Sequence, residues 1–106
     1  MMGEARGGGE DRPVLAGLGP VSWSPEDGVA YEVALEVIQQ VIGAYSALIA
    51  KEESRAASDA SLIESWEQEQ GRWAGRGREL DPADRRGIDQ VVAECQALLA
   101  RLRAMR

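Results

Sequence analysis

Apolar residues recur at alternating steps of three and four through the last quarter of the chain: Ile88, Val91, Cys95, Leu98, Leu102 and Met105. That spacing draws one narrow stripe along a helix. Just upstream, Asp81-Pro82-Ala83-Asp84 offers a side-chain cap, a proline for the first helical position and an acid near the positive helix end. The pattern predicts a helix over 82–105, with Arg101, Arg103 and Arg106 placed to suit its negative pole.

A longer helix is predicted over 25–53. Ser24 can cap it, Pro25 fits its first turn, and Glu26 and Asp27 favour its positive end. Ala30, Val33, Ala34, Val37, Val41, Tyr45 and Leu48 share one side, and Tyr31, Leu35, Ile38, Ile42 and Ile49 widen it. The apolar arc then spans roughly 200°, against about 100° for an ordinary surface helix. Glu32, Glu36, Gln39, Gln40, Gly43 and Ser46 fill the polar remainder. Such a helix is either central in the fold or keeps an apolar strip for another molecule.

Between these two, Leu62, Ile63, Trp66 and Trp73 mark one broad face of a helix over 59–74. Ser58 or Ser61 is the expected cap, with Ser61 and Glu64 at capping-box spacing. Gly71, Gly75 and Gly77 are expected to weaken and end it. The resulting link to Leu80 is too long for a helix-turn-helix. Residues 1–24 are glycine-rich, with Gly7-Gly8-Gly9 among charges, and read as a flexible tail. Val14, Leu15, Leu18, Val21 and Trp23 make the second half of that tail apolar enough to dock on the body. The expected architecture is all-α: an up-down-up three-helix bundle over 25–106 behind an N-terminal tail. No strand pattern and no internal repeat interrupts this reading.

Composition narrows the chemistry. The chain has 106 residues, enough for one domain, and a formal charge of -6. An acidic surface repels phosphates, so no nucleic-acid partner is expected. Acids concentrate in the first helix: residues 26–53 hold six against Lys51 alone, whereas 82–106 hold five arginines and three acids. No run of ~18 apolar residues points to a membrane span, and no secretory leader pattern opens the chain. The single cysteine, Cys95, fits a reducing cytoplasm and, on the seam of the last helix, reads as a small buried hydrophobe.

Histidine is absent, which removes the usual base of a nucleophilic triad and the usual ligand of a helical di-iron site. Gly7-Gly8-Gly9 lacks the Gly-Lys-Ser/Thr ending of a phosphate loop. Arg72, Arg76, Arg78, Arg85 and Arg86 sit among Glu79, Asp81 and Asp84, so local pairing is expected there rather than phosphate binding. Neither an enzyme activity nor a metal or cofactor is expected.

Two resemblances bear on function. Trp73-Ala74-Gly75 resembles the Trp-x-Gly turn of small helical-hairpin proteins exported by type VII secretion, although no Tyr-x-x-x-Asp/Glu signal follows it. A second resemblance covers most of residues 29–103. Tyr31-Glu32-Val33-Ala34 leads into the long apolar helix and Ala50-Lys51-Glu52-Glu53 closes it. A Glu/Gln-rich helix follows, and Arg78-Glu79-Leu80-Asp81-Pro82-Ala83-Asp84 opens the third. This plan resembles small actinobacterial proteins associated with zeta-type kinase toxins, and is similar to the epsilon-type antitoxins, which are three-helix bundles. It implies a cytoplasmic inhibitor that obstructs the nucleotide site of a P-loop kinase toxin with its first helix. The expected contacts are Glu26, Asp27, Tyr31, Glu32, Leu35 and Glu36, meeting a partner with a basic cleft. The competing expectation is a self-associating adaptor, a homodimer joined through the excess apolar face of the first helix.

Overall fold

In a computed structural model of the protein, the described residues are 24–105, and they form three helices: α1 (Pro25–Glu53), α2 (Ala60–Glu79) and α3 (Arg85–Ala104). The tail expected over residues 1–24 lies outside them except for Ser24. The fold is an all-α, up-down-up arrangement, as the periodicity predicts. α1 is its axis, with α2 running back along it and α3 alongside.

α1 begins where the sequence places it. The Asp27 amide donates to Ser24 Oγ at 3.1 Å, and the Ser24 amide donates to Asp27 Oδ2 at 3.3 Å, a reciprocal capping box with aspartate in the usual glutamate position. Ala34, Val37, Ile38, Val41, Tyr45 and Leu48 are its buried apolar side chains. By length and composition alone α1 can also cross a membrane: an 18-residue window has mean hydropathy 1.5. Counting consecutive apolar residues missed this, because glutamates and glutamines interrupt every run. In the fold that apolarity is used on the side where two helices pack against α1.

The start of α2 differs from expectation. Asp59, not Ser58 or Ser61, is its cap, accepting from the Leu62 amide at 3.1 Å. The register is set from outside the helix. Glu52, buried at the end of α1, accepts the Asp59 amide at 2.9 Å and pairs with Arg55 at 3.2 Å, so one carboxylate ties the whole 54–59 link. The end of α2 differs more. Instead of stopping near residue 74, the helix continues through Gly75 and Gly77 to Glu79. Each glycine costs about 1 kcal/mol relative to alanine. Tertiary contacts offset this: Trp73 is buried, and Gln70 Nε2 donates to the Ile42 carbonyl at 2.9 Å and to Ser46 Oγ at 2.8 Å. Trp73-Ala74-Gly75 is therefore helix rather than turn.

The link between α2 and α3 shrinks accordingly to residues 80–84, and Pro82 does not open α3. The Asp81 side chain accepts from the Ala83 amide and its carbonyl from the Asp84 amide, both at 2.9 Å, so Asp81-Pro82-Ala83-Asp84 closes a turn on itself. Asp84 is the cap, accepting from the Gly87 amide at 3.0 Å. Although this link is shorter than expected, α2 and α3 each pack on α1, and an ion pair between long side chains spans the space between them. Arg76 on α2 meets Glu94 on α3 at 2.6 Å. A donor from Arg76 and a second from Gln90 hold the Glu94 carboxyl below the usual carboxylate range.

The seam of α3 is buried at Ile88, Val91, Cys95, Leu98 and Leu102, and Leu99 joins it. Met105, expected on the seam, is 52% exposed because it follows the last helical turn. Cys95 has no exposed surface, and burial pushes its thiol up to about 11. Since the thiolate is the reactive form, Cys95 in the native protein should react with iodoacetamide at pH 8 at least about a hundredfold more slowly than in urea. Equal rates in the two states would place it outside the core.

Candidate functional site

α2 is shorter than α1, and this creates the open surface of the molecule. A Cβ on Gly77, near the end of α2, would stand 3.6 Å from Ile38 and 3.9 Å from Leu35. α2 therefore ends beside the middle of α1, and among the described residues the first turns of α1 keep only α3 as a neighbour. The two helix starts are fastened together. Arg85 Nη1 meets Asp27 Oδ1 at 3.3 Å while Arg85 Nε meets Asp89 at 3.1 Å. The bonds to Asp89 and then to Asp27 hold the Arg85 guanidinium more firmly in its charged form.

Beside this clasp runs a groove of about 610 Å³ between α1 and α3. Its apolar lining comes from Pro25, Val29, Ala30, Val33 and Val92. Glu26, Arg85 and Asp89 are its charged members. Val29 is 62% exposed and Val33 44% exposed, high values for valines at core spacing. Among the described residues, the excess apolar circumference of the first helix is thus left open at its N-terminal end rather than along its length.

The six residues expected to contact a partner separate into two groups. Glu26, Glu32 and Glu36 are exposed, and steps of three and four place them with Val29 and Val33 on one outward face. Asp27, Tyr31 and Leu35 are half-buried on the inward side. Asp27 is already engaged by the cap and by Arg85, and Leu35 faces the end of α2. Val29 and Val33, absent from the expected set, are the apolar centre of the face. The signal was in the sequence: Val33 stood on the wide arc, but only knowledge of where α2 ends says which part of the arc stays bare.

Of the five arginines near the second link, Arg72, Arg76 and Arg85 pair, though with other partners than expected, and Arg78 and Arg86 form no ion pair among the described residues. Arg72 joins Glu69 at 2.8 Å, Arg76 joins Glu94, and Arg85 joins Asp27 and Asp89. Arg72 and Arg76 also lie over the Trp73 ring, at 5.0 and 4.5 Å from its centre. Arg72 and Arg76 thereby fasten α2. Comparison with protein-family models, with curated proteins and with solved structures finds no match to this chain.

Proposed function

We propose that this chain is a protein-binding inhibitor, antitoxin-like in action, that lays the outer face of α1 into a basic-rimmed cleft of a partner protein. The observation that carries this reading is the pair of exposed valines, Val29 and Val33, flanked by Glu26, Glu32 and Glu36. An apolar strip gives affinity by burial, and an acidic rim selects a partner that presents lysine and arginine. A P-loop kinase presents such a rim where it holds nucleotide phosphates. The kinase class comes from the resemblance of residues 29–103 to antitoxin-like proteins.

Self-association through the same face is disfavoured by its charge. A two-fold pairing sets each patch against its own copy, so the glutamates would meet glutamates.

The test is calorimetric titration of the purified chain into a zeta-type P-loop kinase. Wild type is expected to bind and to suppress nucleotide-dependent activity. Val29→Asp combined with Glu32→Arg is expected to weaken binding by about a hundredfold or more, with an unchanged helical spectrum. Undiminished binding by the double variant would put the contact elsewhere, and no binding by wild type would remove the kinase as partner.

A further inference from the structure

α2 and α3 are equal in length and unequal in attachment. Each has 20 residues, but α3 buries Ile88, Val91, Cys95, Leu98, Leu99 and Leu102, whereas α2 buries Trp73 alone. That one anchor carries a polar cost, because Trp73 Nε1 is enclosed with no hydrogen-bond partner among the described residues. Leu62, Ile63 and Trp66 remain half-buried. α2 is also the weaker helix by itself: Gly71, Gly75 and Gly77 fall in its second half, and each lowers helix stability relative to alanine.

Its neighbours are few. Among the described residues α2 packs on α1, and no Cα of α2 comes within 8 Å of a Cα in α3. The Arg76–Glu94 pair spans that gap, but both side chains are partly exposed and water competes for them. Apart from Trp73, every buried member of the core cluster comes from α1 or α3. The two links are held from outside α2: Glu52 of α1 accepts the Asp59 amide, and Asp81 closes the 81–84 turn on itself. The interior of α2 can therefore let go between two fixed points.

What α2 covers is a second apolar stripe of α1. A Cβ on Gly77 would meet Ile38 and Leu35, and Gln70 reaches the Ile42 carbonyl and Ser46. Leu35, Ile38, Ile42 and Ile49 recur at steps of three, four and seven, which puts them in line. Ile38 lies about half a turn round α1 from Val29, so this stripe is separate from the open valines.

We infer that α2 is a releasable strap: in the native protein it lifts from α1 as a unit while α1 and α3 stay paired, and its opening controls exposure of Leu35, Ile38, Ile42 and Ile49. Cooperative units with few buried apolar contacts open well before the molecule as a whole. The strap is a property of the chain alone and stands whether or not the inhibitor reading holds.

Native-state hydrogen exchange by NMR on the full-length chain tests this. The central amides of α2, from Trp66 to Trp73, should exchange at least about a hundredfold faster than those of Val41 and Cys95. Two glycine substitutions show whether α2 opens by itself, since a Cβ on Gly43 or Gly71 meets nothing within 4 Å. Gly71→Ala should slow all the central α2 amides by about fivefold, the gain of alanine over glycine inside a helix. Gly43→Ala lies in α1, which stays folded when the strap opens. It should slow the Val41 and Cys95 amides by about fivefold and leave those of α2 unchanged. Slowing of the α2 amides by Gly43→Ala, as in a molecule that opens only as a whole, would overturn the inference. So would a Gly71→Ala effect confined to its own turn, which would mean that α2 frays residue by residue.

Discussion

Trp73→Ala is expected to cost about 3–5 kcal/mol and to loosen α2 from the rest of the molecule. Trp73 is 2% exposed and is the single fully buried side chain of α2 among the described residues. Leu62, Ile63 and Trp66 lie on the same helix but are only half-buried. Truncation also removes the surface over which the Arg72 and Arg76 guanidiniums stand, each contact contributing about 0.5–1 kcal/mol. Nothing is lost through the indole nitrogen, because Trp73 Nε1 is buried without a hydrogen-bond partner. Trp73→Phe keeps an aromatic face for the arginines and removes that unpaired donor, so it should retain most of the stability. Set against a typical net stability of about 5–15 kcal/mol, the alanine variant approaches the whole margin. Urea denaturation followed by circular dichroism reads both effects. A loss under 1 kcal/mol, or a larger loss in Trp66→Ala, would mean that α2 is held by its N-terminal half instead.

The importance of Trp73 was only partly legible in the sequence. Its place on an apolar face is plain from spacing, but the neighbouring glycines argued that the helix was already ending. Local propensity lost there to packing, since the Gln70 hydrogen bonds and the burial of Trp73 outweigh about 1 kcal/mol per glycine. The same contest displaced both later helix starts. Asp81 and Ser61 are good caps by type, yet Asp84 and Asp59 perform the role, because Asp81 closes its own turn and Glu52 holds the Asp59 amide. α1 was read correctly at both ends because its signals are local: Ser24, Pro25 and Asp27 act within one turn. The seam of α3 was read correctly from Ile88 to Leu102 because period alone defines it, and it failed at Met105, where the helix has ended. The candidate site was half legible. Its acids and its excess apolarity follow from the wheel, but its position depends on α2 ending beside Leu35, a length that the glycines disguised.

That difference between apolar content and actual cover makes one substitution behave oppositely along α1. Val41→Asp is expected to abolish folding, whereas Val29→Asp is expected to leave the fold intact. Val41 has no exposed surface and sits in the core with Tyr45, Trp73 and Cys95. An aspartate there has two ways to exist. Ionised, it forfeits hydration in the core; protonated, it still buries a polar group, at about 1–3 kcal/mol by mutational measures if unpaired. Loss of the valine packing adds to either, and a folded state would have to hold the carboxyl well above its ordinary range. The variant should therefore be least unstable in acid, since stability held by a raised folded pKa is present at low pH and is lost as pH rises through that value. Val29 is 62% exposed, so an aspartate at that position keeps its water. Its change in stability should stay within about 0.5 kcal/mol, as for other surface positions. Thermal melts of the two variants at pH 4 and pH 7 separate the cases. Equal destabilisation at residues 29 and 41 would mean that the N-terminal turns of α1 are sealed as tightly as its middle, and the open face assigned to them would not exist.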